Sequence, residues 1–145
     1  MLPIDFKEFL KLLNEHNVKY LLIGGYAVGY HGYPRTTNDI DIWVENSVEN
    51  ADKLVLSVKA FGFNVPELKP ELFENKKNII RMGKAPMRIE IITDIDGVEF
   101  AKCYPKRIVA NIDNINVNII SLNDLKANKK ASGRHKDLAD LDYLP

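Results

Sequence analysis

The chain has 145 residues, 46% of them hydrophobic and 28% charged, and its 20 basic side chains balance 20 acidic ones. This fits one ordinary soluble domain over residues 1–145, and the balance argues against a protein held to nucleic acid by overall charge. The single cysteine, Cys103, excludes an internal disulfide and has no metal-ligand companions. The opening Met1-Leu2-Pro3-Ile4-Asp5 lacks the basic and apolar blocks of a signal peptide, and no stretch is long and apolar enough to span a bilayer. The expectation is a cytoplasmic protein.

Phe6, Phe9, Leu10 and Leu13 recur at helical spacing and predict an amphipathic helix from about Asp5 to Asn14, followed by a turn at Asn17. Tyr20-Leu21-Leu22-Ile23 reads as a short buried strand that Gly24-Gly25 ends, with a short helix over Tyr26 to Tyr30. Asp39-Ile40-Asp41-Ile42-Trp43-Val44 reads as a second strand. Ser47 is an N-cap candidate for a helix that closes near Gly62. Val65 to Lys77 carries no readable element. Ile79 to Met82 and Met87 to Ile92 predict paired strands around a Gly83–Pro86 turn, and Val98 to Cys103 a short helix. Ile108 to Ile112 and Ile115 to Ile120 flank Asp113-Asn114 as a hairpin. A helix is expected from Ser121 to Gly133 and a last one from Lys136 to Leu144, giving an α+β domain with a mixed sheet and a C-terminal helical element.

Strand side chains alternate, so Asp39 and Asp41 share one face while Ile40 and Ile42 enter the core on the other. Adjacent carboxylates repel unless a cation relieves them, and magnesium suits such a set because it takes oxygen ligands and leaves sites for substrate phosphates. Alone, the pair reads equally well as a solvated strand face. Gly24-Gly25 adds a turn where backbone N–H groups can approach a phosphate closely.

The run Leu22-Ile23-Gly24-Gly25-Tyr26-Ala27, with Arg35-Thr36-Thr37-Asn38-Asp39-Ile40-Asp41-Ile42, resembles the signature of the polymerase-β-type nucleotidyltransferases, above all small prokaryotic members of the abortive-infection type. The resemblance implies the fold of that superfamily, a glycine turn holding a nucleoside triphosphate, and two aspartates binding divalent metal. It also implies a third carboxylate on a nearby strand. Glu90, flanked by Ile89 and Ile91, is the candidate; Asp94 and Asp96 are its rivals, and a surface acid paired with a base such as Arg88 is the plain alternative. Many relatives carry aspartate there.

Lys126, Lys129, Lys130, Arg134, His135 and Lys136 gather in the tail, where most lysine-rich runs are solvated helix faces. The resemblance implies that Lys129, Lys136 and Asp137 lie beside the active site, the lysines toward phosphate and Asp137 toward a base or the acceptor. Asn128 stands where relatives carry an apolar residue, and Asp140 reads as a surface or capping residue. Arg35 is a phosphate candidate and Thr37 a support for the loop before Asp39. His31 reads as structural, Trp43 as core or rim, and Cys103 as a small buried apolar residue.

The implied activity is transfer of a nucleoside monophosphate to a hydroxyl of RNA, a protein or a small molecule. Two magnesium ions, or manganese in their place, would sit on Asp39, Asp41 and Glu90. At this length a second subunit or a protein partner, as in toxin–antitoxin pairs, would complete the acceptor site. The rival readings are a non-catalytic nucleotide- or partner-binding module and a DNA binder using the lysine-rich helix.

Overall fold

A computed structural model describes residues 2–34, 36–74, 77–83 and 87–145. Seven helices and six strands are described in the order α1 (Ile4–Glu15), β1 (Tyr20–Ile23), α2 (Gly24–Tyr30), β2 (Asp39–Val44), α3 (Val48–Phe61), α4 (Glu71–Glu74), β3 (Ile79–Met82), β4 (Arg88–Ile92), α5 (Phe100–Cys103), β5 (Ile108–Ile112), β6 (Ile115–Ile119), α6 (Leu122–Ser132) and α7 (His135–Tyr143). The strands form one mixed sheet in the order β3-β4-β2-β1-β6-β5. The α+β expectation holds.

Local chemistry sets most boundaries. Asn17 has φ 57°, the left-handed turn that ends α1 and redirects the chain into β1. Ser47 and Ser121 cap α3 and α6, their hydroxyls accepting from the N–H of Asn50 and of Asp124. Gly62 and Gly133 close the same two helices in the left-handed conformation. Asp113 and Asn114, at φ 51° and 70°, make the tight β5–β6 turn.

Three expectations need correction. Gly24 and Gly25 belong to α2 rather than preceding it. The stretch read as featureless contains the single turn α4, held by the fully buried Phe73. The helix expected over Val98 to Cys103 begins only at Phe100 and continues as a 3-10 turn over Tyr104–Lys106. The Gly83–Pro86 turn lies largely outside the described residues.

The sheet positions the site. β1 and β2 are antiparallel, β2 and β4 are parallel, and β3 and β4 are antiparallel. Ile40, Ile42, Ile89 and Ile91 are buried on one face, so Asp39, Asp41, Arg88 and Glu90 stand on the other. Trp43 shares that second face but is 1% exposed and meets Phe100 of α5 edge to face, so it is core.

Candidate active site

Ile23 pairs with Asp41 and Asp41 pairs with Glu90, so the glycine turn after β1 and two acids lie in one row across three strands. Gly24 has φ 68°, and a Cβ there would collide with the Asp41 carboxylate. Gly25 is equally constrained: a Cβ would stand 3.0 Å from that of Thr37. The glycines are therefore required by packing as well as by the turn. Thr37 donates its hydroxyl to the Asp39 carbonyl at 3.2 Å and supports the entry to β2.

Asp41 is the strained member of the row. Burial, then a hydrogen bond and the charge of Glu90, then the charge of Asp39 push its carboxyl up to about 7, with Lys136 acting in the other direction.

The outer acids are met by arginines. Arg81 donates through Nε to Glu90 Oε1 at 2.9 Å. Arg88 Nε stands 3.6 Å from Asp39 Oδ1 and makes no hydrogen bond. Thus the base paired with Glu90 is Arg81, across the β3–β4 register, while Arg88 faces Asp39. Among the described residues, no three His, Cys, Asp or Glu side chains are gathered so that they could jointly hold a metal ion. Glu90 and Asp39 each lie against a guanidinium, that of Arg81 and that of Arg88.

A cleft of about 520 Å³ covers this row. Its floor includes Asp39, Asp41, Glu90 and Arg81, and α6, α7 and the turn between them supply Asn128, Lys129, Ser132, Arg134, Lys136 and Asp137. Asp94 and Asp96 also line it, but they are exposed and lie beyond the end of β4. Gly97 brings their loop against α6, where a Cβ would clash with Ala131, and Asn128 donates to the Asp96 carbonyl at 3.0 Å. Asn128 thus ties the loop after β4 to α6, which is why a polar residue occupies that helix position.

Lys129 is 4% exposed, with Nζ 3.0 Å from Asp137 Oδ1 and 3.0 Å from Asp140 Oδ2. Asp137 also accepts from the Ser132 hydroxyl and, at 2.9 Å, from Arg134. Burial alone would raise the Asp137 pKa, but the bonds from Ser132, Lys129 and Arg134 and the Lys129 charge hold it at about 2. Lys129 is therefore matched by two carboxylates and clamps α6 to α7. Lys136, exposed on the cleft wall, is the tail cation that faces Asp41.

Arg35 lies outside the described residues. His31 bonds through Nε2 to the Ile120 carbonyl at 2.7 Å, a structural link between α2 and the end of β6. Cys103 is buried, and desolvation followed by the nearby Asp124 raises its thiol to about 12. Two participants were missed from sequence. Arg81 follows once the β3–β4 turn is centred and opposite charges are matched across the strands. Asp140 is three residues beyond Asp137 and shares its helix face.

No family model and no curated protein matches the chain. Solved structures do. TM1012 from Thermotoga maritima, a nucleotidyltransferase candidate, superposes with a TM-score of 0.65 at 16% identity, covering 98% of this chain and 93% of that one. The lincosamide antibiotic adenylyltransferase LnuA, solved with lincomycin, gives 0.60 at 14% identity over 99% and 96%. The antibiotic-resistance factor ANT(2'')-Ia gives 0.61 at 12% identity over 97% and 80%. At these identities the likeness speaks for architecture, and with the six-stranded mixed sheet it establishes that this chain has the polymerase-β-type nucleotidyltransferase fold.

Proposed function

We propose that the chain is a metal-dependent nucleotidyltransferase. The observation that carries this reading is the row Gly24, Asp41 and Glu90 across β1, β2 and β4, beside a cleft that Lys136 enters. In the reaction an acceptor hydroxyl attacks the α-phosphorus of a nucleoside triphosphate. The new O–P bond forms as the bond to pyrophosphate breaks, and pyrophosphate leaves.

By type the donors suit a hard divalent cation: three carboxylates on one sheet face, with Asp41 pushed up by burial and by its acidic neighbours, a penalty that a positive ion would relieve. Asp39, Asp41 and Glu90 would hold magnesium, or manganese, which when bound would supply positive charge to the attacking and leaving oxygens. Gly24 and Gly25 let the polyphosphate approach the backbone of the turn, and Lys136 offsets its charge. Glu90, on the strand farther from that turn, stands on the acceptor's side. Lys129 and Asp137 act by holding α6 and α7 as the cleft wall. Arg35, in the segment before β2, is a further phosphate contact on this reading. Positioning and charge neutralisation carry most of the rate.

The acceptor is a hydroxyl of RNA, a protein or a small molecule; the ANT(2'')-Ia structure with adenylyl-2''-tobramycin makes the last class concrete for this fold. The finer likeness to abortive-infection members, and with it a protein partner, a second copy or a toxin–antitoxin pairing, rests on the motif residues alone. The cytoplasmic setting likewise belongs to this reading; no described helix is long and apolar enough to cross a membrane.

The test is to incubate the protein with labelled triphosphates, magnesium and cell extract and identify what becomes labelled. Asp39→Asn with Asp41→Asn should abolish labelling and keep the circular dichroism spectrum. Full labelling by that double variant would remove the assignment. A non-catalytic binding module is the second reading, favoured by the arginines that already engage Glu90 and Asp39. Calorimetry with magnesium and each triphosphate separates the two, since metal-dependent binding belongs to the enzyme.

A further inference from the structure

We propose that Arg81 is a placeholder cation, holding Glu90 until a divalent ion displaces it, so that Arg81 sets how readily the acidic site loads. The inference rests on the nucleotidyl-transfer reading and concerns a residue that reading leaves unused.

Arg81 lies on β3 opposite Glu90, with Nε 2.9 Å from Oε1. The two partners are unequally held: the Arg81 side chain is 56% exposed and that of Glu90 17%. Glu90 sits on β4 between β2 and β3, paired with Asp41 on one side and Arg81 on the other, whereas the guanidinium has open cleft and solvent to move into. A guanidinium also keeps its charge at any ordinary pH, so it leaves the acid only by being pushed out. An ion entering between Asp41 and Glu90 would meet this fixed positive charge within a few ångströms of its own position, and the repulsion opposes loading.

Arg88 is a built-in comparison. Its Nε stands at the longer 3.6 Å from Asp39 Oδ1 and makes no hydrogen bond. Its hold on the acid is weaker. The paired outer acids also account for the lack of a ready three-acid cage among the described residues. On this view that lack is a property of the ion-free state, maintained mainly by Arg81.

The experiment is a Mn²⁺ titration of the nucleotide-free protein, read by the loss of the free-ion electron paramagnetic resonance signal. Arg81→Gln should tighten Mn²⁺ binding by about 3- to 10-fold, because a full positive charge is removed beside the ion. Arg81→Lys, which keeps the charge, should stay near the wild type. Arg88→Gln should tighten binding less than Arg81→Gln. Wild-type binding that Asp41→Asn abolishes but Arg81→Gln leaves unchanged or weaker would overturn the placeholder role alone. Equal tightening by Arg81→Gln and Arg81→Lys would overturn it too. Absence of Mn²⁺ binding in every protein, Arg81→Gln included, would overturn the transferase reading with it.

Discussion

Asp41 packs where a side chain on Gly24 would have to go, and burial with the neighbouring Glu90 and Asp39 makes its charge costly. Its folded-state pKa of about 7 lies above the ordinary 3.8, so between those values the folded chain keeps a proton that the unfolded chain releases. Stability is therefore lost as pH rises from the lower value through the upper one. Asp41→Asn mimics the protonated form and should raise metal-free stability above neutral pH by about 1 kcal/mol or more. Thermal melts below pH 3.8 and near neutral pH check this, and the gain should be absent at the lower pH and grow as pH rises between the two pKa values. Asp137 has the opposite sign. Its pKa of about 2 lies below 3.8, so its contribution is present above the ordinary value and lost as pH falls through the lower one. Gly24→Ala forces a side chain into a left-handed backbone and onto Asp41; it should cost about 1–3 kcal/mol and weaken triphosphate binding measured by calorimetry. The alternation that put Asp39 and Asp41 on one face was legible from the residue order alone. The place of Glu90 directly opposite Asp41 was not, because the register between distant strands is not written in the residue order.

Among the elements, the α6–α7 pair behaves unlike an ordinary amphipathic hairpin. The buried positions of α7 are Asp137 and Asp140, and they close on Lys129 rather than on apolar side chains. Lys129→Met removes the charge between two buried acids and should destabilise the protein by about 3–5 kcal/mol in urea unfolding. Lys136→Met, at an exposed position, should change stability by less than about 0.5 kcal/mol while weakening nucleotide binding. That contrast separates a clamp from a ligand contact within one lysine-rich tail. From sequence the lysines of this tail could not be sorted, since a run of bases carries no mark of which one finds buried partners. The long helices were readable because α1 and α3 repeat their apolar residues at helical spacing and α3 has both of its caps. The single turn α4 spans too few residues to show a period and owes its place to Phe73 entering the core. At the start of α2, Gly24 and Gly25 read as a break from their residue type alone, whereas their close packing on Asp41 and Thr37 appears only in the fold.

For the molecule as a whole, a ligand that binds only the folded state should report on the entire sheet. Magnesium with a triphosphate at a hundredfold excess over its dissociation constant should add about 2.7 kcal/mol, seen as a rise in Tm that a chelator reverses. The Asp39→Asn, Asp41→Asn double variant should show no such rise. Fold class was within reach of the sequence, and the likeness to LnuA and TM1012 agrees with it. Strand order was not, because the parallel neighbours β2 and β4 are joined by a crossover that carries α3, α4 and β3. That connection has a kinetic side. Asp41 emerges early in the chain, and its partner Glu90 joins it only after the long intervening segment has closed. A nascent or partly unfolded chain thus owns the first two acids without the third, and if the proposed metal site is real, its ability to chelate should appear in one late step, making metal uptake a clock for the arrival of native topology.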